Sequence, residues 1–146
     1  MDKLILSNEE ELVDFAKKLA KKTKPAKENA RVFALSGELG SGKTTFSKGF
    51  LKQLKVKEQV ISPTFLIIKS YPLKGSKFKQ AYHIDTYRLE NPAEILNLGL
   101  EEILDNKANL VLIEWAEKVE KYLPKDSTWI KFSHYDKGRL LEIENE

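Results

Sequence analysis

The tightest constraint on this 146-residue chain is one short stretch, Gly37-Glu38-Leu39-Gly40-Ser41-Gly42-Lys43-Thr44, which matches G-x-x-x-x-G-K-[ST] in full. Glycines let such a loop fold back on itself so that successive backbone N–H groups point inward at an anion, where a Cβ would stand in the way. The run Arg31-Val32-Phe33-Ala34-Leu35-Ser36 reads as a strand feeding straight into Gly37. Beyond Lys43, the residues Phe46, Phe50, Leu51 and Leu54 form one apolar helical face. A strand, a glycine-rich loop and a helix in that order are the context that turns the pattern into a phosphate site, with the positive helix N-terminus behind the anion. Lys43 is expected to reach the β- and γ-phosphates and the Thr44 hydroxyl to bind Mg²⁺. Glu38, Leu39, Gly40, Ser41, Gly42 and Thr45 complete the expected nucleotide contacts.

The rest of the chain supplies a fold around that loop. Ser7-Asn8-Glu9-Glu10 is a capping box opening a helix whose Leu12, Phe15, Ala16, Leu19 and Ala20 share a face, and Pro25 ends it. Segments 64–71 and 78–85 read as a hairpin around Lys74-Gly75-Ser76. Asn91-Pro92 starts a helix. Leu110-Val111-Leu112-Ile113 is the uninterrupted apolar run of a strand buried on both faces, followed by a short helix to Tyr122. Strands over 128–135 and 139–143 flank the turn Asp136-Lys137-Gly138. The expectation is a single α/β domain over 1–146: a mixed, mainly parallel sheet of the P-loop NTPase kind, with helices on both faces and an antiparallel hairpin.

Acids are needed near the metal, at the ends of apolar strands. Glu114 closes Leu110-Val111-Leu112-Ile113, and Asp85 closes Tyr82-His83-Ile84. Either suits direct metal binding, holding the ion's water shell, or orienting the attacking water. Lys43, Asp85 and Glu114 are thus the expected catalytic set, and Thr44, Asp85 and Glu114 the metal set. Ser62-Pro63-Thr64 lies where P-loop switches carry a threonine that senses the γ-phosphate. Trp115 is expected either opposite Glu114 or past the strand end in the rim of the site. His83 and His134 have no companion at metal-ligand spacing and read as structural.

Composition narrows the function class. The absence of cysteine excludes a disulfide framework and cysteine-ligated metals, and suits a reducing cytoplasm. No apolar run approaches the ~20 residues of a membrane span, and the start Met1-Asp2-Lys3-Leu4-Ile5-Leu6 is too short and too quickly acidic for a signal peptide. Of 25 basic residues only Arg31, Arg88 and Arg139 are arginine, the planar fork suited to phosphate or carboxylate. Arg88 is a candidate for nucleotide or partner contact, against a salt bridge to Glu90 or Glu94. The lysines from Lys17 to Lys27 read as the wet face of a helix, because no aromatic residues interleave them for base stacking. Asn106-Lys107-Ala108-Asn109 imitates the guanine-reading N-K-x-D but ends in asparagine, and no D-x-x-G is present. ATP is therefore the expected nucleotide. A small-molecule kinase would need an arginine-bearing lid, for which the chain has little material.

The order of Gly-Glu-Leu-Gly-Ser-Gly-Lys-Thr-Thr-Phe at 37–46, Ser62-Pro63-Thr64-Phe65, His83-Ile84-Asp85-Thr86-Tyr87-Arg88-Leu89, Ile113-Glu114-Trp115 and Gly138-Arg139 closely resembles the bacterial TsaE (YjeE) proteins over nearly the whole chain. The resemblance implies an ATPase accessory to the threonylcarbamoyladenosine modification of tRNA, working with the TsaB–TsaD pair, in which TsaD performs the transfer. It implies that Lys43 and Thr44 hold phosphate and Mg²⁺, that Glu114 is a metal-site acid, and that Asp85 serves the metal or its water. It further implies that Trp115 is functionally sensitive, and that Arg139 and the segment around Glu9 lie near the base. Where the family often carries a threonine early in the first helix, this chain has Leu12. Direct contact with tRNA is not implied. Two further readings stand beside slow, partner-stimulated hydrolysis: a nucleotide-dependent assembly switch, and a metabolite kinase.

Overall fold

The structure, a computed structural model, describes residues 2–56, 58, 60 and 67–145. The elements run β1 (Asp2–Leu6), α1 (Glu9–Lys22), β2 (Arg31–Gly37), α2 (Lys43–Gln53), β3 (Ile68–Pro72) and β4 (Gln80–Asp85). They continue with α3 (Glu94–Asn97), α4 (Leu100–Leu104), β5 (Asn109–Glu114), a 3₁₀ helix (Ala116–Tyr122), β6 (Thr128–Tyr135) and β7 (Gly138–Glu144). Among the described residues seven strands form one sheet in the order β1-β7-β6-β2-β5-β4-β3. The middle is parallel, β6 to β2, β2 to β5 and β5 to β4; two antiparallel pairings, β6 to β7 and β7 to β1, close one side and one, β4 to β3, the other. This is the expected mixed α/β architecture, with antiparallel strands at both edges.

Strand alternation divides the side chains into two layers. Phe33 and Leu35 of β2, Leu110 and Leu112 of β5, and Ile130 and Phe132 of β6 pack with Leu12, Ala16 and Leu19 of α1 and Phe46 and Phe50 of α2. The intervening Val32, Ala34, Val111 and Ile113 pack instead with Ile95, Leu100, Ile103 and Val119 on the other face. β5 is buried along its whole length, as its apolar run requires when helices cover both faces. Phe46 is an aromatic hub, within 6.1 Å of Phe15, 5.9 Å of Phe50 and 5.6 Å of Phe132 between ring centroids, which ties α1 and α2 to the sheet.

Local chemistry departs from expectation in instructive places. The helix cap is Asn8, whose side chain accepts from the Glu11 N–H at 2.9 Å, while Glu11 reaches back to the Ser7 N–H at 2.9 Å. The reciprocal pattern is thus shifted one residue along from Ser7-Asn8-Glu9-Glu10. After Asn91, whose side chain accepts from the Ala93 N–H, the helical segment breaks into α3 and α4 at Gly99, in the left-handed region. The short helix expected up to Tyr122 is present and is of the 3₁₀ type. β1 has no counterpart in the sequence reading: exposed over most of its length, it pairs with β7 at the far end of the chain. Residues 64–66 of the expected hairpin lie outside the described residues; the remainder pairs as β3 and β4. The lysines of α1 and the turn after it lie mainly at the surface, as a solvated face should. No helix among the described residues is long and apolar enough to cross a membrane.

Candidate functional site

β2 delivers the chain to the loop, and the loop's shape depends on glycine at two points. Gly37 sits at φ +132°, and a Cβ there would lie 2.2 Å from the Phe132 carbonyl oxygen, so β6 can run against it only because the side chain is absent. Gly42, at φ +109°, immediately precedes α2, and a Cβ would lie 2.7 Å from the Leu12 side chain. No side chain caps the α2 N-terminus. Its first N–H groups are therefore left to an external acceptor, beside the positive end of the helix dipole.

Lys43 is 4 % exposed. Its Nζ donates to the carbonyls of Gly37 at 2.7 Å and Glu38 at 2.8 Å, and lies 4.1 Å from the centroid of the Trp115 ring. Burial holds its pKa below the ordinary 10.5; Glu117, Glu114, Asp85 and Glu38 oppose that shift. A buried ammonium held by the loop's own carbonyls and the Trp115 ring is a preformed anion partner within the loop.

The parallel register brings the acids to the loop. Asp85 lies beside Glu114, and Leu35 of β2 beside Glu114 on its other side, so the strand-end acids stand next to the strand that enters the loop. The Thr44 hydroxyl donates to Glu114 Oε1 at 2.6 Å, and His83 Nε2 bonds Glu114 Oε2 at 2.5 Å. Asp85 Oδ1 accepts from the Tyr87 N–H at 2.9 Å. Trp115 leaves the strand in the left-handed region at φ 58°, which turns it into the rim rather than across the sheet, and Tyr87 packs on it at 4.9 Å between centroids. The Thr86 hydroxyl bonds the Trp115 carbonyl at 2.6 Å and pins that turn.

These residues surround a cavity of about 550 Å³ whose lining includes Gly40 through Thr45, Asp85, Glu114 and Trp115, together with Glu9, Leu12 and Arg139. Arg139 holds the loop itself, donating from Nε to the Ser41 carbonyl at 2.9 Å and from an Nη to the Gly40 carbonyl at 3.1 Å. A hydroxyl and two carboxylates are hard oxygen donors of the sort Mg²⁺ takes. No group of three or more acidic or histidine side chains able to hold a metal occurs among the described residues.

The model of the family described as "Threonylcarbamoyl adenosine biosynthesis protein TsaE" matches residues 6–141. The chain belongs to the TsaE family. A TsaE protein of Haemophilus influenzae is 34% identical over 139 residues, covering 94% of this chain and 85% of the relative. One from Rickettsia bellii is 40% identical over 144 residues, covering 97% and 94%. The crystal structure of YdiB from Bacillus subtilis superposes with a TM-score of 0.75 at 34% identity, covering 96% of this chain and 82% of that one. Membership in TsaE carries involvement in threonylcarbamoyladenosine biosynthesis and nucleotide binding in general.

Of the residues singled out in the sequence, Lys43, Thr44, Thr45, Asp85, Glu114, Trp115 and Arg139 share this cavity. Glu38 contributes through its carbonyl to Lys43. Arg88 is exposed and outside the cavity lining. Ser62, Pro63 and Thr64 lie outside the described residues. His83 was read as structural, yet it bonds the site's acid. The signal was available: His83 and Asp85 are two residues apart on one strand and so share a face.

Proposed function

We propose that this TsaE protein binds and hydrolyses ATP as a single cytoplasmic P-loop domain, in support of threonylcarbamoyladenosine formation on tRNA by the TsaB–TsaD pair. The observation that carries the reading is the Thr44–Glu114 hydrogen bond at the mouth of a loop whose lysine is already turned inward. It brings a loop hydroxyl and a strand-end carboxylate to one point, the pairing that a metal-dependent phosphate site needs.

In this reading the N–H groups of residues 38–45 and the Lys43 ammonium bind the β- and γ-phosphates. Arrival of the triphosphate draws Lys43 from the Gly37 and Glu38 carbonyls, a neutral-acceptor contact exchanged for a charged one. Thr44 and Glu114 would hold Mg²⁺, which when bound would neutralise charge on the phosphate oxygens. Asp85, fixed by the Tyr87 N–H, would hold the ion's water or orient the attacking water. Trp115 and Tyr87 shield that end from bulk solvent. The base lies toward Glu9, Leu12 and Arg139. Among the described residues the cavity lining holds one arginine, Arg139, which is engaged by the Ser41 and Gly40 carbonyls, and this supports slow turnover alone and acceleration by partners.

The test is phosphate release from Mg·ATP by the purified protein, with and without TsaB and TsaD. Acceleration by the pair supports the reading. Equal, fast release in both would defeat its regulatory part, and phosphorylation of a metabolite in place of water would defeat hydrolysis.

A further inference from the structure

Glu114 is held from two sides, and only one of them belongs to the phosphate loop. Oε1 accepts from Thr44, and Oε2 lies 2.5 Å from His83 Nε2, on a ring that is fully buried. A glutamate has three side-chain torsions to choose among. The strongest competitor for its charge is Lys43, whose ammonium already feels Glu114 together with Glu117 and Asp85. An unanchored Glu114 would pair with Lys43 and cancel the charge that the phosphates need. Thr44 is a weak anchor against that outcome, since its hydroxyl donates only once and is wanted elsewhere when a ligand arrives.

Resting on the nucleotide reading above, we propose that His83 is a positioning residue, whose Nε2–H anchors Glu114 beside Thr44 and keeps it off the Lys43 ammonium. A carboxylate only accepts, so the proton of the shared bond sits on Nε2. Nδ1 is buried and has no hydrogen-bond partner among the described residues. The strand geometry makes the arrangement specific: β4 and β5 run parallel with Asp85 beside Glu114, and His83 is one step back on the same face.

Two variants separate anchoring from packing. His83→Gln offers an amide N–H near the reach of Nε2, and His83→Leu fills the space without a donor. In His83→Leu, half-saturating Mg²⁺ for nucleotide binding rises by ~10–100-fold, the usual cost of losing a ligand's orienting partner. ATP binding in EDTA weakens as well, because Glu114 captures Lys43. His83→Gln restores both to within a few fold, and adding Glu114→Gln to His83→Leu restores the metal-free ATP binding. Equal defects in Leu and Gln, a Leu variant that matches the wild type, or no recovery in the double variant would each overturn the proposal. Failure of the wild type to bind ATP at all would instead defeat the nucleotide reading. The anchor is then decided in the nucleotide-free protein by ¹⁵N NMR of the imidazole: an Nε2–H tautomer is expected, and Nδ1–H refutes it.

Discussion

The two faces of the sheet are built from the same strands and end differently. On the face toward α1 and α2, the rows Leu110, Leu112, Glu114 and Ala81, His83, Asp85 begin apolar and finish in acids at the phosphate loop. On the opposite face the rows Val111, Ile113 and Tyr82, Ile84 remain with the apolar layer under α3, α4 and the 3₁₀ helix. Period-two alternation thus lets one residue step separate stability from chemistry: Ile113 and Glu114 are neighbours in the chain and work on opposite sides. The buried Ser41, Lys43, His83, Asp85, Thr86 and Glu114 gather where β2, β4 and β5 end, while the second face supplies the rigid backing that holds those ends in register.

The sharpest way to break this division is to exchange the roles of the two neighbours. Ile113→Ala removes a fully buried side chain from the apolar face. It should cost about 2–5 kcal/mol of stability, read as a fall in the denaturant midpoint, with ATP turnover per folded molecule unchanged. A large loss of turnover at full folding would mean that the second face takes part in the chemistry. Glu114→Gln is the converse. It keeps shape and an acceptor for Thr44 while removing the charge, and should lower turnover by ~100-fold with nucleotide affinity within a few fold of wild type. Normal phosphate release from that variant would remove Glu114 from its role. Lys43→Ala sharpens the picture within the functional face, because it should weaken Mg·ATP binding, by about 1.5–3 kcal/mol in calorimetry, where Glu114→Gln does not.

The division explains what the sequence disclosed and what it withheld. The loop was legible because its eight residues carry their own local geometry, and β5 because a strand covered on both faces is apolar at every position. β1 was not, since Asp2 to Leu6 is mostly exposed and gains its identity only by pairing with β7 from the other end of the chain. Trp115 could be placed only as far as two alternatives, because its left-handed turn is stabilised by Thr86, a partner from another strand end. His83 was undervalued for a related reason. Judged by metal-ligand spacing it stood alone, and its significance comes from Glu114 on the adjacent strand, a pairing set by register rather than by sequence distance. The cap on α1 falls one residue along because Ser7 and Asn8 are both good N-caps and each has a glutamate three residues on, so spacing alone does not separate them.

The smallest expected effect comes from Lys43 itself, and it separates the needs of the fold from those of the site. Burial lowers its folded-state pKa below 10.5, while the unfolded chain keeps the ordinary value. Between those two values the unfolded state binds more protons, so stability rises with pH in that window. The cost of burying the ammonium is fully present below the folded pKa and is relieved as pH climbs through it toward 10.5. Compared with Lys43→Met, which cannot titrate, the nucleotide-free wild type should gain ground in melting temperature as pH is raised toward that value. Nucleotide affinity should move the opposite way over the same series, since phosphate needs the charged form. Parallel trends in the two measurements would mean that the lysine's charge suits the fold as well as the ligand. Opposite trends would identify Lys43 as a residue the functional face tolerates at the expense of stability, a demand that the apolar face never makes.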